Sequence, residues 1–133
     1  MSTEKTYADV AEGVRATIAA YTQALDDGRT EDVVATFCAD GACEIPGLGN
    51  HVGHDALRAA YSGWKPERPQ RHVVVNTLVT VSNDDEARAV SDVIFLLRRD
   101  SGWAVQLVGR YHDTLHCDDG TWRFHHRRAE FVT

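Results

Sequence analysis

The sequence predicts an α+β fold in which helices from the first half of the chain cover one face of a mostly antiparallel sheet built from the second half. Three observations predict it. Between Tyr7 and Leu25 the apolar residues recur at spacings of three and four, the period of a helix with one buried stripe. From His72 onward the pattern changes to four long runs rich in β-branched and aromatic residues. Those runs are joined by Asn83-Asp84-Asp85, Asp100-Ser101-Gly102 and Asp118-Asp119-Gly120, residues that tolerate the positive φ of hairpin turns. Consecutive strands joined by hairpins form a meander, and the helices must bury their stripes against it.

The elements follow in order. Val10, Val14, Ile18, Tyr21 and Leu25 define the first helix, and Asp27-Gly28 ends it. Thr30 is placed to cap a short second helix through Val33, Val34 and Phe37. Asp40-Gly41 turns the chain into a brief strand, Ala42 to Ile45. A tight Pro46–Gly49 loop leads to a short returning strand at His51-Val52. Gly53-His54-Asp55 opens a third helix, Ala56 to Tyr61, which Gly63 and Pro66 close. The long strands are His72 to Val81, Ala87 to Arg98, Trp103 to Leu115 and Thr121 to Phe131. In the first of these, simple alternation sends Val73, Val75, Val79 and Val81 to one face and Val74 and Leu78 to the other. A sheet apolar on both faces needs cover on both, so the outer face is expected to pack on another copy, as a dimer or trimer.

Composition narrows the function. The 133 residues bound one domain with a real core. A formal net charge of −6 makes nucleic acid and anionic membrane surfaces poor partners. No stretch approaches the ~20 apolar residues of a membrane span, and MSTEKTYADV lacks the apolar centre of a leader, so a cytoplasmic location is expected. Cys38, Cys43 and Cys117 form no paired motif and read as reduced core fillers. His51-x-x-His54 has no evident third ligand, and His112 and His116 stand far apart along one strand, so no metal is expected. There is no nucleophile elbow, phosphate loop or dinucleotide fingerprint, and no cofactor is expected.

Two residues carry the best chemistry. His72 opens the valine run in RHVVVNTLV, on the face that alternation assigns to Val74, Asn76 and Leu78. Asp26 closes the stripe of the first helix, where a carboxylate opposes the helix dipole by a few tenths of a kcal/mol. Paired, the carboxylate would hold one ring nitrogen and leave the other as a base. The plainer alternatives are a half-solvated histidine at a strand end and turn-forming aspartates before Gly28. Arg127, in HHRRAEF, could stabilise a departing anion, although strand parity sets it opposite Trp122 and Phe124 unless a bulge intervenes. Tyr21 is either a phenol donor or core.

The order of elements, with ALDDGRTEDVVATF, ACEIPGLGNHVGHDALRA, RHVVVNTLV and GRYHDTLHCDDGTWRFHHRR, resembles the SnoaL-like proteins. These belong with scytalone dehydratase, ketosteroid isomerase and the small subunits of ring-hydroxylating dioxygenases. The second phrase and the spacings locally resemble hexachlorocyclohexane dehydrochlorinase. The resemblance covers nearly the whole chain and implies a single SnoaL-like domain over residues 1–133. It implies three N-terminal helices in the concave face of a curved sheet, the cystatin-like cone. It also implies a catalytic Asp26, a general-base His72 and a pocket arginine at Arg127. Tyr21 stands where the dehydrochlorinase has a lysine, and Leu25 and Ile45 where scytalone dehydratase has tyrosines. The expected function is a cofactor-free lyase or isomerase, dehydratase-like, acting on a small cyclic or aromatic molecule. The expected cavity is lined by Tyr21, Val74, Asn76, Leu78, Val93 and Phe95. The alternative is a ligand-binding or assembly module without turnover.

Overall fold

Six strands form one sheet in the order β2-β1-β6-β5-β4-β3, and three helices lie against its inner face. The computed structural model describes residues 5–132, so the leader reading above falls in part outside the described residues. The elements are α1 (Tyr7–Asp26), α2 (Thr30–Ala35), β1 (Phe37–Ile45), β2 (Gly49–Val52), α3 (His54–Gly63), β3 (Gln70–Asn83), β4 (Glu86–Arg99), β5 (Gly102–Asp118) and β6 (Thr121–Phe131). Their order and type are those expected. The sheet is antiparallel except where β1 runs parallel to β6.

Local chemistry sets the helix ends. Thr6 and Asp9 form a reciprocal capping box at the start of α1. At its other end Asp27 is the cap and Gly28 adopts φ 71°, which a β-carbon would resist. Thr30 does not cap α2; it is the first helical residue, and Arg29 occupies the cap position with no side-chain bond. Gly13 lets α1 approach the sheet, since a β-carbon there would sit 2.5 Å from Trp122 Cδ1.

One expected boundary moves and one expected alternation breaks. Asp40-Gly41 does not begin a strand; it lies inside β1, in an irregular stretch where four residues of β1 oppose one of β6. Gly41 is needed there because a β-carbon would meet the Phe124 carbonyl oxygen at 2.7 Å. In β3, Asn76 takes φ 57° and the register against β4 slips between Val75 and Leu78. This bulge reverses the alternation. Val74 faces inward before it and Val79 after it, whereas Leu78 is 74% exposed. The expected common face for Val73, Val75, Val79 and Val81 is therefore wrong. Val73 and Val75 face out, Val79 is buried, and Val81 packs against the core. A second bulge, between Phe124 and His126 in β6, returns Arg127 to the face of Phe124.

Register then lays the inward side chains out in rows. His72, Phe95 and Leu107 lie at one end, followed by Val74, Val93, Gly109 and Phe131. Next come Ser91, Tyr111 and Ala129, then Ala89, Asp113, Arg127 and Cys43. The last row, Ala87, Leu115, Phe124 and Phe37, meets the stripe of α1 in the densest part of the core. The rows nearer His72 enclose space instead.

Candidate functional site

The end of α1 reaches the start of β3. Asp26, in the last turn of the helix, has a side chain only 4% exposed. Its Oδ2 accepts the His72 backbone N–H at 2.7 Å. Its Oδ1 accepts His72 Nδ1 at 2.6 Å and the Gln70 amide at 3.1 Å. Burial alone would raise the Asp26 carboxyl, but the ring, backbone and amide donors outweigh it and hold it below its ordinary value. An ionised carboxylate only accepts, so Nδ1 carries the hydrogen, and in the neutral ring Nε2 holds the lone pair. The ring lies flat on Phe95, centroids 4.5 Å apart, which fixes its plane. Asp27, next to Asp26, faces solvent near Arg29 at 3.4 Å.

His72 forms part of the wall of a cavity of about 260 Å³. Tyr21 and Leu25 of α1, Ile45 of β1, Tyr61 of α3 and Trp64, the cap residue after α3, enclose it from the helix side and the sheet edge. Val93, Phe95, Leu107, Gly109, Tyr111 and Ala129 form the sheet wall, with Leu48 and Phe131 among the more exposed lining residues. The Tyr21 and Tyr61 hydroxyls bond each other at 2.5 Å, and Tyr61 donates to Cys43 Sγ at 3.3 Å. Burial pushes both phenols well above their ordinary value. Gly109 contributes space that no other residue could, since a β-carbon would press on the Glu130 carbonyl oxygen at 2.8 Å.

The other expected site residues divide. Tyr21, Val93 and Phe95 line the cavity with His72. Val74 does not: it is half-buried against Val93, Tyr111 and Ala129 and borders a separate groove between α1 and β3. Asn76 and Leu78 are not lining residues. The bulge turns both outward, and the Asn76 amide donates to Asp92 at 3.0 Å on the outer surface. Arg127 is 0% exposed and lies below the cavity, outside its lining. It donates from Nε and Nη2 to the Asp113 carboxylate at 2.8 and 3.1 Å. Its guanidinium carbon sits 3.7 Å from the centre of the Tyr111 ring and 4.4 Å from those of Tyr21 and Phe124. A direct contact between Arg127 and a departing anion in the cavity is therefore not what this geometry offers. His51 and His54, weighed as metal ligands, commit Nε2 to the carbonyls of Leu48 and Phe37.

Sequence reasoning missed Gln70, Tyr61, Trp64, Leu107, Gly109 and Tyr111. For β5 a signal existed: Gly109, Tyr111, Asp113 and Leu115 alternate without interruption, and Leu115 is plainly core. For Gln70, two residues before the strand was expected to begin, there was none.

A helix-lined cone of curved sheet around an apolar cavity, with an imidazole in its wall held from behind by a buried carboxylate, defines a class of small cavity proteins. The chain belongs to the SnoaL-like domain family, whose sequence profile matches residues 7–128. A comparison with curated proteins finds no match. Among solved structures, the chain is similar to the D26N form of Rv3472, a protein of unknown function from Mycobacterium tuberculosis. Identity is 27% over 92% of this chain and 71% of that one, with a TM-score of 0.86. A protein of unknown function with a cystatin-like fold from Nostoc punctiforme is 25% identical over 98% of this chain and 96% of its own, at a TM-score of 0.84. A candidate scytalone dehydratase from Novosphingobium aromaticivorans is 21% identical over 92% and 84%, at a TM-score of 0.82. The last of these speaks to the fold alone.

Proposed function

We propose that this SnoaL-like protein is a lyase or isomerase that removes a proton from carbon, with His72 as the base and Asp26 as the group that orients it. The observation that carries this reading is the 2.6 Å bond between Asp26 Oδ1 and His72 Nδ1 in the wall of an apolar cavity. It commits Nδ1 and leaves Nε2 to accept a proton. A volume of about 260 Å³ suits a molecule of one or two small rings, and the aromatic lining favours a cyclic or aromatic one. General-base catalysis supplies about 10²–10⁴-fold. Exclusion of water by Tyr21, Phe95 and Trp64 adds to it by strengthening every polar contact inside.

The experiment is α-proton exchange into deuterated water, followed by NMR, for a panel of small cyclic ketones. Wild type is expected to accelerate exchange of at least one ketone, with an acid limb in the pH profile, and His72→Ala to lose about 10²–10⁴-fold. A wild type no faster than buffer on every ketone, or a His72→Ala variant as fast as wild type, overturns the reading.

The outer sheet face supports a second proposal, that the protein assembles with copies of itself. Val73, Ile94 and Val108 lie in one register row, with Leu96 and Val105 in the next. Val105 is 61% exposed, and Trp103 and Leu78 add to the same uncovered surface. No helix among the described residues is long and apolar enough to cross a membrane.

A further inference from the structure

The three tyrosines of the cavity differ in what their hydroxyls do. Tyr21 and Tyr61 spend theirs on one another and on Cys43. Among the described residues the Tyr111 hydroxyl has no hydrogen-bond partner, although the residue is buried. It is also absent from the fully enclosed unpaired atoms, of which Arg127 Nη1 alone is found among the described residues, so the Tyr111 oxygen reaches open space. The open space beside Tyr111 is the cavity. A buried phenol facing an otherwise apolar chamber with no protein partner is a donor kept for something else.

Beneath the same ring lies the one charge pair of the inner rows. The Arg127 guanidinium stacks on Tyr111 at 3.7 Å and is held flat by two bonds to Asp113. A cation on the ring face stabilises negative charge that develops on the phenol oxygen or on an acceptor bonded to it. Burial pushes the Tyr111 phenol up to about 12, and the Arg127 guanidinium works against that rise. His72 and Tyr111 line the same chamber, and the Asp26 carboxylate that holds His72 is among the groups that raise the Tyr111 phenol. Their rows are four residues apart on β4, from Phe95 to Ser91, or ~13 Å of strand before the side chains reach inward.

We propose that Tyr111 donates a hydrogen bond to an oxygen of the bound molecule, that Arg127 acts through the Tyr111 ring as a positioning residue, and that the substrate is an enolisable cyclic carbonyl compound. This rests on His72 as the base. His72 Nε2 forms a bond to the proton as the C–H bond breaks. The electron pair moves into the carbonyl, and the resulting enolate oxygen accepts from the Tyr111 hydroxyl, which keeps its proton. The imidazolium then returns its proton to a different carbon, giving an isomer, or to a β-hydroxyl that leaves as water when the enolate collapses.

The test does not require turnover. 2-Naphthol serves as the enol mimic and 2-methylnaphthalene as its apolar isostere, and the readout is the ratio of their dissociation constants. Wild type is expected to favour 2-naphthol by about tenfold, and Tyr111→Phe to lose that preference while binding 2-methylnaphthalene as before. A preference that survives in Tyr111→Phe overturns the assignment. For Arg127, the pair is replaced together as Arg127→Met with Asp113→Leu, because removing one partner would strand a buried charge. The ultraviolet titration of Tyr111, isolated by subtracting Tyr111→Phe in the same background, is expected to move to higher pH. Arg127→Gln with Asp113→Asn, which removes both charges and keeps the volume of the pair, gives the same comparison if the first double variant does not fold. An unmoved titration removes Arg127 from the proposal. If ketone exchange depends on His72 while the naphthol preference ignores Tyr111, only this inference fails. If no ketone exchanges yet the preference depends on Tyr111, it is the base reading that fails.

Discussion

The Asp26 carboxylate is the residue on which most depends. It sits at the wrong end of a helix for its charge, and three donors compensate: the His72 ring, the His72 backbone and the Gln70 amide. Because these lower its titration point in the folded chain, Asp26 adds stability above the ordinary carboxylate range. That contribution is lost as pH falls through the depressed folded value. Chemical denaturation from neutral pH down through ~4 and below should therefore show a shallower acid loss for Asp26→Asn than for wild type. The same variant replaces one acceptor oxygen with a donor amide that faces one N–H group at the Oδ2 position or two at the Oδ1 position. Under the proposed function, exchange should fall by about 10²-fold or more while the cavity still binds 2-methylnaphthalene. A variant that keeps both its acid sensitivity and its activity would show that the contact is ornamental.

At the scale of elements, the two bulges decide what the strands present. Simple alternation correctly assigns His72 and Val74 to the inner face and fails two residues later, because nothing in NTL announces that Asn76 will take a left-handed backbone. Asparagine is among the few residues that visit that region readily, which is a hint visible only in hindsight. Asn76→Val should cost about 1–2 kcal/mol in urea unfolding, since a β-branched residue resists φ 57°. It also loses the bond to Asp92. The β6 bulge had been admitted as a possibility, and it does bring Arg127 inward, yet into a buried pair with Asp113 rather than onto the cavity lining. The partner could not be read from sequence because it depends on the register of two strands at once. Packing of α1 gives a prediction of opposite sign to propensity. Gly13→Ala would gain about 1 kcal/mol in an isolated helix. Here its methyl must displace Trp122, so the melting temperature should fall rather than rise.

Across the whole molecule, the order of elements was legible because each depends on short-range pattern: helical stripe, hairpin turn, strand run. The chamber was less so, since it is bounded by residues from seven elements that only the register of the sheet and the packing of the helices bring together. The outer face was half legible. Once the bulge has turned Val79 and Val81 inward, the uncovered apolar surface is smaller than alternation suggested and centres on Val73, Ile94, Val108 and Val105. If copies assemble through it, sedimentation at micromolar concentration should show wild type as a dimer or trimer, and Val73→Glu with Val105→Lys as a monomer with unchanged far-ultraviolet circular dichroism. A monomeric wild type would remove that surface from any role in assembly.

Gly109 has a consequence for how such a chamber can be re-tailored. Even one added carbon at that position would force β5 and β6 apart, because it would collide with main chain rather than with a side chain that can swing away. The gauge of the chamber is thus locked on that flank, and adaptation to bulkier or slimmer guests has to come from trimming Val93, Leu107 or Trp64, whose outlines can change without disturbing the hydrogen-bonded frame.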